Sequence, residues 1–314
     1  MLTKLYSKSS YLSIFISYLY MAIVVVSKAR ENSNRLDIDI SILEYIIFII
    51  LFFVLFNLYN SWVNLQAKDD GFSISERSNI HIFLFPIVFS FLPSNIIHLE
   101  WGIALYLMSS AMIKYTKSLP HTGEKSLIEI GILLSISAMI IPYFYIYLIL
   151  LLTIRILPAG NFSFSKILAL GLPSLITWFL AVTIKTFSSI NIPYYKLIIQ
   201  NENFYDIITK GFTSITLIIV TIISIITLIS INKRYFYLLE RKTRLNRIGL
   251  FITHLVLICF FIKSQEALIL LIYPIIYGLS LLSRIMTNKI IKELVLTTLL
   301  FLSIFSSHLS FDSI

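Results

Sequence analysis

The sequence predicts an all-α fold: a polytopic bundle of about eleven transmembrane helices, with a cytoplasmic N-terminus and residues 1–314 forming one integral membrane domain. Three observations lead there. The 314-residue chain is 58% hydrophobic and 13% charged, against about 45–50% and about 25% in soluble domains, and its mean hydropathy is +0.89. Its apolar residues form solid blocks, not the short alternating segments of a transmembrane barrel. Finally, eleven crossings from a cytoplasmic N-terminus put 18 of the 25 Lys and Arg on the cytoplasmic side, as the positive-inside rule requires.

The apolar segments fall near 11–27, 43–64, 80–93, 96–113, 126–141, 143–157, 167–187, 212–232, 248–262, 267–283 and 292–308. Residues 1–10 are short and basic. The run Tyr11 to Ser27 ends in Lys28, Ala29 and Arg30 without a small-residue cleavage pattern, so it is expected to be the first span and not a removed leader. Residues 28–41 then form the first outer loop. Two pairs, 80–113 and 126–157, are broken at "LPSN" (Leu92 to Asn95) and "IPYF" (Ile141 to Phe144). Proline lacks an N–H and disfavours helix at the preceding residue, so each pair is either two short helices turning at one surface or one kinked helix.

The longest outer loop is 188–211, whose aromatic and aliphatic residues suit an interfacial helix. "NKRYFYLLERKTRLNR" (Asn232 to Arg247) carries six basic residues and one acid. It reads as a cytoplasmic topology anchor, or as a docking site for anionic headgroups or a protein partner. The C-terminus is expected outside.

The net charge of +9 is explained by these cytoplasmic connections, so nucleic acid is not an expected partner. The single cysteine, Cys259, excludes an internal disulfide framework and a cysteine metal site. No Walker loop, G-x-G-x-x-G, G-x-S-x-G or H-E-x-x-H motif occurs. The five histidines, His81, His98, His121, His254 and His308, do not pair at helical spacing. His81 and His98 fall at segment ends and read as interfacial. His254 lies inside a segment, where a hydrogen bond to a neighbouring helix and a proton-relay role are the alternatives. Asn57 and Asn60 share one face of the second segment and are expected to knit helices together.

The candidate catalytic residues are Asp37 and Asp39 in the first outer loop. They alternate with Leu36, Ile38 and Ile40, so on an extended segment both carboxylates point one way and the aliphatics the other. Two readings compete. The acids face water while the aliphatics cover the bundle, or the carboxylates act as general base, or as divalent-cation ligands, on a lipid-linked substrate. Lys185 and Lys263 lie near the outer ends of their segments. Lys185 reads as snorkelling, and Lys263 as a local ion pair with Glu266, three residues on. No cofactor is implied.

The stretch Ile128 to Leu180, with its Gly-containing helix, proline-aromatic break, aliphatic helix, basic residue and "GLPS", resembles an uncharacterised family of bacterial polytopic inner-membrane proteins. The preceding Phe85 to Tyr115 resembles it too, and the two cover about a third of the chain. A looser likeness is to multi-pass glycosyltransferases that use polyprenyl-phosphate sugars. That likeness implies a catalytic acid in the first outer loop, so Asp37 or Asp39 would activate an acceptor hydroxyl while Lys185 or Lys263 holds the donor phosphate. The chain is short for such enzymes and lacks their large outer C-terminal domain.

The expected protein is therefore a multi-pass protein of the bacterial inner (cytoplasmic) membrane and cell envelope, with membrane lipids as partners. As an enzyme it would transfer lipid-linked sugars at the outer face. The alternatives are a non-enzymatic accessory or scaffold subunit with an envelope protein partner, and a transporter, which the scarcity of intramembrane charge disfavours.

Overall fold

A computed structural model describes residues 2–6, 11–36, 41–69, 80–92, 94, 99–118, 124–141, 144–156, 164–187, 219–227, 229, 272–286 and 288–309. Among them every regular element is an α-helix. The helices are α1 (Leu2–Leu5), α2 (Tyr11–Leu36), α3 (Ile42–Asp69), α4 (Ile80–Ser90), α5 (Leu99–Ser118), α6 (Glu124–Ile140), α7 (Tyr145–Ile156), α8 (Phe164–Phe187), α9 (Ile272–Ile285) and α10 (Lys289–Leu309). A further helical segment covers 219–227.

Local chemistry starts these helices where they start. Ser41 and Glu44 form a reciprocal capping box before α3: the Ser41 amide donates to Glu44 Oε2 at 2.8 Å, and the Glu44 amide to Ser41 Oγ at 3.3 Å. Asn288 caps α10 by accepting from the Ile290 amide at 3.0 Å.

One expected boundary is corrected. α2 does not end at Ser27 but runs on to Leu36. No Gly or Pro interrupts residues 28–36, and Lys28 and Ala29 are both buried, so packing carries the helix past its apolar run. Hydropathy marks where apolar residues stop, not where a helix stops. The expected outer loop 28–41 contracts to the connection between Leu36 and Ser41.

Side-chain contacts set the helix directions. Phe52 meets Phe89 at 4.9 Å between ring centroids, and Phe56 meets Phe85 at 5.2 Å. The numbers rise on α3 as they fall on α4, so the two are antiparallel. The same logic holds for α5 and α6: Lys114 pairs with Glu129 at 2.8 Å, and Ser137 Oγ donates to the Ala104 carbonyl at 2.7 Å. α6 and α8 instead step forward together, Gly131 against Leu170 and Pro173, then Ser135 against Ser174. They are parallel, with α7 between them in the chain.

Both proline-broken pairs are thereby two helices each. In 80–113, α5 leaves from the end where α4 stops and packs back along α3, with Gly102 against Leu51. In 126–157, a single kinked helix would make α8 antiparallel to α6, and it is parallel.

α4 is the central helix. All its residues except Ile82 are buried, surrounded by α2, α3, α9 and α10. Its sequence is apolar on every side, as a helix without a solvent face must be. α2 shows the opposite of soluble amphipathicity. Ser13, Ser17, Met21, Val24 and Lys28 are buried on one face, while Phe15, Leu19, Ile23 and Val26 are exposed on the other.

Helix length qualifies the eleven-crossing expectation. Among the described residues, two stretches are long and apolar enough to cross a membrane, Tyr11–Glu31 in α2 and Phe164–Ile184 in α8. At 1.5 Å per residue, the 11 residues of α4 and 12 of α7 span only about 16–18 Å, short of a hydrocarbon core about 30 Å thick.

Candidate functional site

The C-terminal end of α2, the end of α4 and the starts of α3 and α5 gather at one end of the bundle. Here Lys28, only 8% exposed, donates from Nζ to the backbone carbonyl of Leu92. Leu92 lies two residues beyond α4, where the negative end of the helix dipole favours a cation. Pro93 follows, and then Ser94, which is 1% exposed. The Ser94 hydroxyl has no hydrogen-bond partner among the described residues. Glu31 lies one turn beyond Lys28 and is half-buried, while Arg30 and Asn34 are exposed. The structure thus brings a buried ammonium and a buried hydroxyl to the end of the bundle that carries the 37–40 connection.

Asp37, Asp39 and Lys263 lie outside the described residues, as do His254, the outer loop 188–211 and the basic stretch 232–247. Lys185 falls in the last turn of α8, which packs on α6 and α7. Glu44, the other acid beside Asp37 and Asp39, is committed to the α3 cap.

Lys28 is the residue that sequence reasoning misplaces. Hydropathy puts it in a solvated outer loop, and the structure buries it. A signal is present: Lys28 follows Met21 by seven and Val24 by four, which is the helical spacing of the buried face. His81, at the start of α4 as its place at a segment end implies, is 1% exposed. Asn57 does knit helices: it accepts from the Tyr18 hydroxyl of α2, and its Nδ2 donates to the Phe53 carbonyl at 3.1 Å.

A second polar cluster sits at the last turn of α4. Ser303 of α10 shares hydrogen bonds with the Tyr20 hydroxyl of α2 and, at 2.6 Å, with the Ser90 hydroxyl of α4. Ser90 also donates to its own helix at the Ile87 carbonyl, 2.7 Å away. The three hydroxyls satisfy one another and join three helices, which is a structural role. At the opposite end of the bundle, the Leu2 amide donates to Glu293 on α10, and the Tyr6 ring packs on Phe83 with its hydroxyl 3.0 Å from Ser17. Burial raises the Tyr6 phenol above its ordinary pKa, while the Ser17 hydrogen bond opposes the shift. With Leu2–Glu293, Tyr6–Phe83, Tyr20–Ser303 and Lys28–Leu92 following in step, α2, α4 and α10 run parallel.

Among the described residues, no three His, Cys, Asp or Glu side chains gather as a metal site would need. No family model matches the chain, and no curated protein or solved structure matches it.

Proposed function

We propose that this chain is a multi-pass integral protein of the bacterial inner membrane. The observation that carries this reading is its inverted surface. α8 exposes Leu168, Leu172, Leu175, Trp178 and Phe179 along one side, while hydroxyls such as Ser17, Ser90, Ser135 and Ser303 are buried. Water would penalise so large an apolar face, since soluble monomers rarely expose a contiguous patch beyond a few hundred Å². Lipid tails accept it at no cost, and hydroxyls then belong inside, bonded to helix carbonyls or to each other. Alkaline carbonate washing should leave the protein with the membrane pellet; release into the supernatant would overturn the reading. A reporter fused after Ile314 should read extracytoplasmic and one inserted near Lys242 cytoplasmic.

Within that reading, the activity we propose is glycosyl transfer from a lipid-linked sugar at the outer face, with Asp37 or Asp39 as the base. The two alternating carboxylates in the connection between α2 and α3 favour it, because a base beside the membrane surface suits a lipid-linked donor. Asp37→Asn/Asp39→Asn should abolish a change in envelope glycans that the wild-type gene restores to a deletion strain. Full restoration by the double variant would instead favour an accessory or scaffold subunit, whose connections need no carboxylates.

A further inference from the structure

We propose that an exposed groove on α10 seats one anionic phospholipid, its headgroup phosphate at Lys289 and an acyl chain running toward Phe301. This rests on the membrane reading above and assigns to it a lipid of defined charge.

The groove follows from helix geometry. Lys289, Glu293, Thr297 and Phe301 recur every four residues, with Ile290 and Leu294 in the next row, and they line a groove of about 620 Å³. Rows of residues four apart are the ridges of a helix, and a groove runs between neighbouring ridges. At 1.5 Å per residue it extends about 18 Å from Lys289 to Phe301. Its lining changes along that length. A lysine stands at one end, while Leu294 and Phe301, both more than half exposed, lie farther in. Between them Thr297 donates its hydroxyl to the Glu293 carbonyl of its own helix at 2.8 Å. A cation giving way to apolar side chains along one groove matches a phospholipid, whose charge sits at one end and whose chains follow.

The depth agrees. Tyr20 of α2 bonds to Ser303 of α10, and the two helices run parallel. Nine residues back along each, Tyr11 is level with Leu294, and Tyr11 opens the stretch of α2 that is long enough to cross a membrane. Lys289, five residues earlier still, stands about 7 Å outside that level, which is the thickness of a headgroup layer. Phe301 stands about 10 Å inside it, within one leaflet of about 15 Å.

Charge selects the headgroup. Lys289 is exposed and has no ion-pair partner among the described residues. Glu293 is engaged by the first helix, whose Leu2 amide it accepts. Residues 284–293 hold Arg284, Lys289 and Lys292 against that one acid. An ammonium makes charge-assisted hydrogen bonds to phosphate oxygens. With the N-terminus cytoplasmic, this is the inner leaflet, whose surface is negative.

The test titrates the full chain in detergent micelles with phosphatidylglycerol and phosphatidylcholine of identical acyl chains, and reads retained lipid by native mass spectrometry. The wild type should retain phosphatidylglycerol in preference. Lys289→Gln should weaken that binding about fivefold, the scale of one lysine at an anionic surface, and Lys289→Arg should restore it. Thr298→Trp, on the groove wall, should weaken both lipids about tenfold by filling the groove. Equal retention of the two lipids by the wild type overturns the proposal, and so does a Lys289→Gln protein that binds like wild type. A disulfide-linked dimer of Thr298→Cys in a Cys259→Ala background would assign the groove to a second copy and overturn it as well. If Thr298→Trp does not fold, the Lys289 pair decides. Carbonate extraction tests the membrane reading without reference to this groove, so the two fail separately.

Discussion

The Ser135 hydroxyl lies 2.7 Å from the Ser174 hydroxyl, and the helices that carry them, α6 and α8, run side by side in the same direction. One turn earlier, Gly131 lets the two backbones approach. A Cβ at Gly131 would lie 2.5 Å from the Leu170 carbonyl oxygen and 3.0 Å from Pro173 Cγ. Small residues at a helix crossing and a hydroxyl pair beside them are how helices hold together where the hydrophobic effect does not act between them.

Gly131→Leu should therefore drive α6 from α8 and destabilise the protein by about 1–3 kcal/mol. Ser135→Ala should cost only about 0.6 kcal/mol, the average for a hydrogen bond between membrane helices. Unfolding in detergent micelles measures both, and the reverse ranking would mean that the hydroxyl pair holds the crossing.

The antiparallel pairing of α5 and α6 can be checked by cross-linking. With Cys259→Ala as background, Lys114→Cys/Glu129→Cys should be joined in isolated membranes by a short bis-maleimide that replaces the length of the two parent side chains, whose tips meet at 2.8 Å. A cysteine pair at 104 and 129 should not, since Ala104 lies beside Ser137.

The α3 capping box predicts a local effect. Ser41→Ala removes the acceptor of the Glu44 amide and should cost about 1 kcal/mol, with faster hydrogen exchange confined to the first turn of α3. Loss of activity in Asp37→Asn/Asp39→Asn but not in Ser41→Ala would separate chemistry at the connection from its mechanical support.

Tyr6 predicts a response to alkali. Its folded pKa is raised above 10.0, first by burial, so the neutral phenol is the form the fold accepts. The stability it contributes is complete below the ordinary tyrosine pKa and is lost as pH rises through the raised value. Tyr6→Phe should remove that alkaline step while costing about 1 kcal/mol at neutral pH for the lost Ser17 hydrogen bond. Unfolding of both proteins followed from neutral to strongly alkaline pH measures the difference.

Among the described residues helix was legible wherever the chain is apolar, and so were the breaks before α5 and α7, because chain-local properties decide them: apolar runs, prolines, and the S-x-x-E cap at Ser41. The expected segment 43–64 is met by α3 over Ile42–Asp69, and 292–308 by α10 over Lys289–Leu309. The candidate site was legible only in part. Hydropathy read Lys28 as solvated and ended α2 too soon, while Asp37 and Asp39 lie outside the described residues.

Which face of each helix turns inward was left to the tertiary structure. A helix such as α4 is apolar all round, and lipid tails are as apolar as a protein core, so its sequence carries no preference for either. Packing made the choice: it surrounded α4 with α2, α3, α9 and α10, set α6 parallel to α8 through Gly131, and drew Lys28 inward to the Leu92 carbonyl. A lysine's charge is written in the sequence, but its burial depends on a neighbour 64 residues away along the chain.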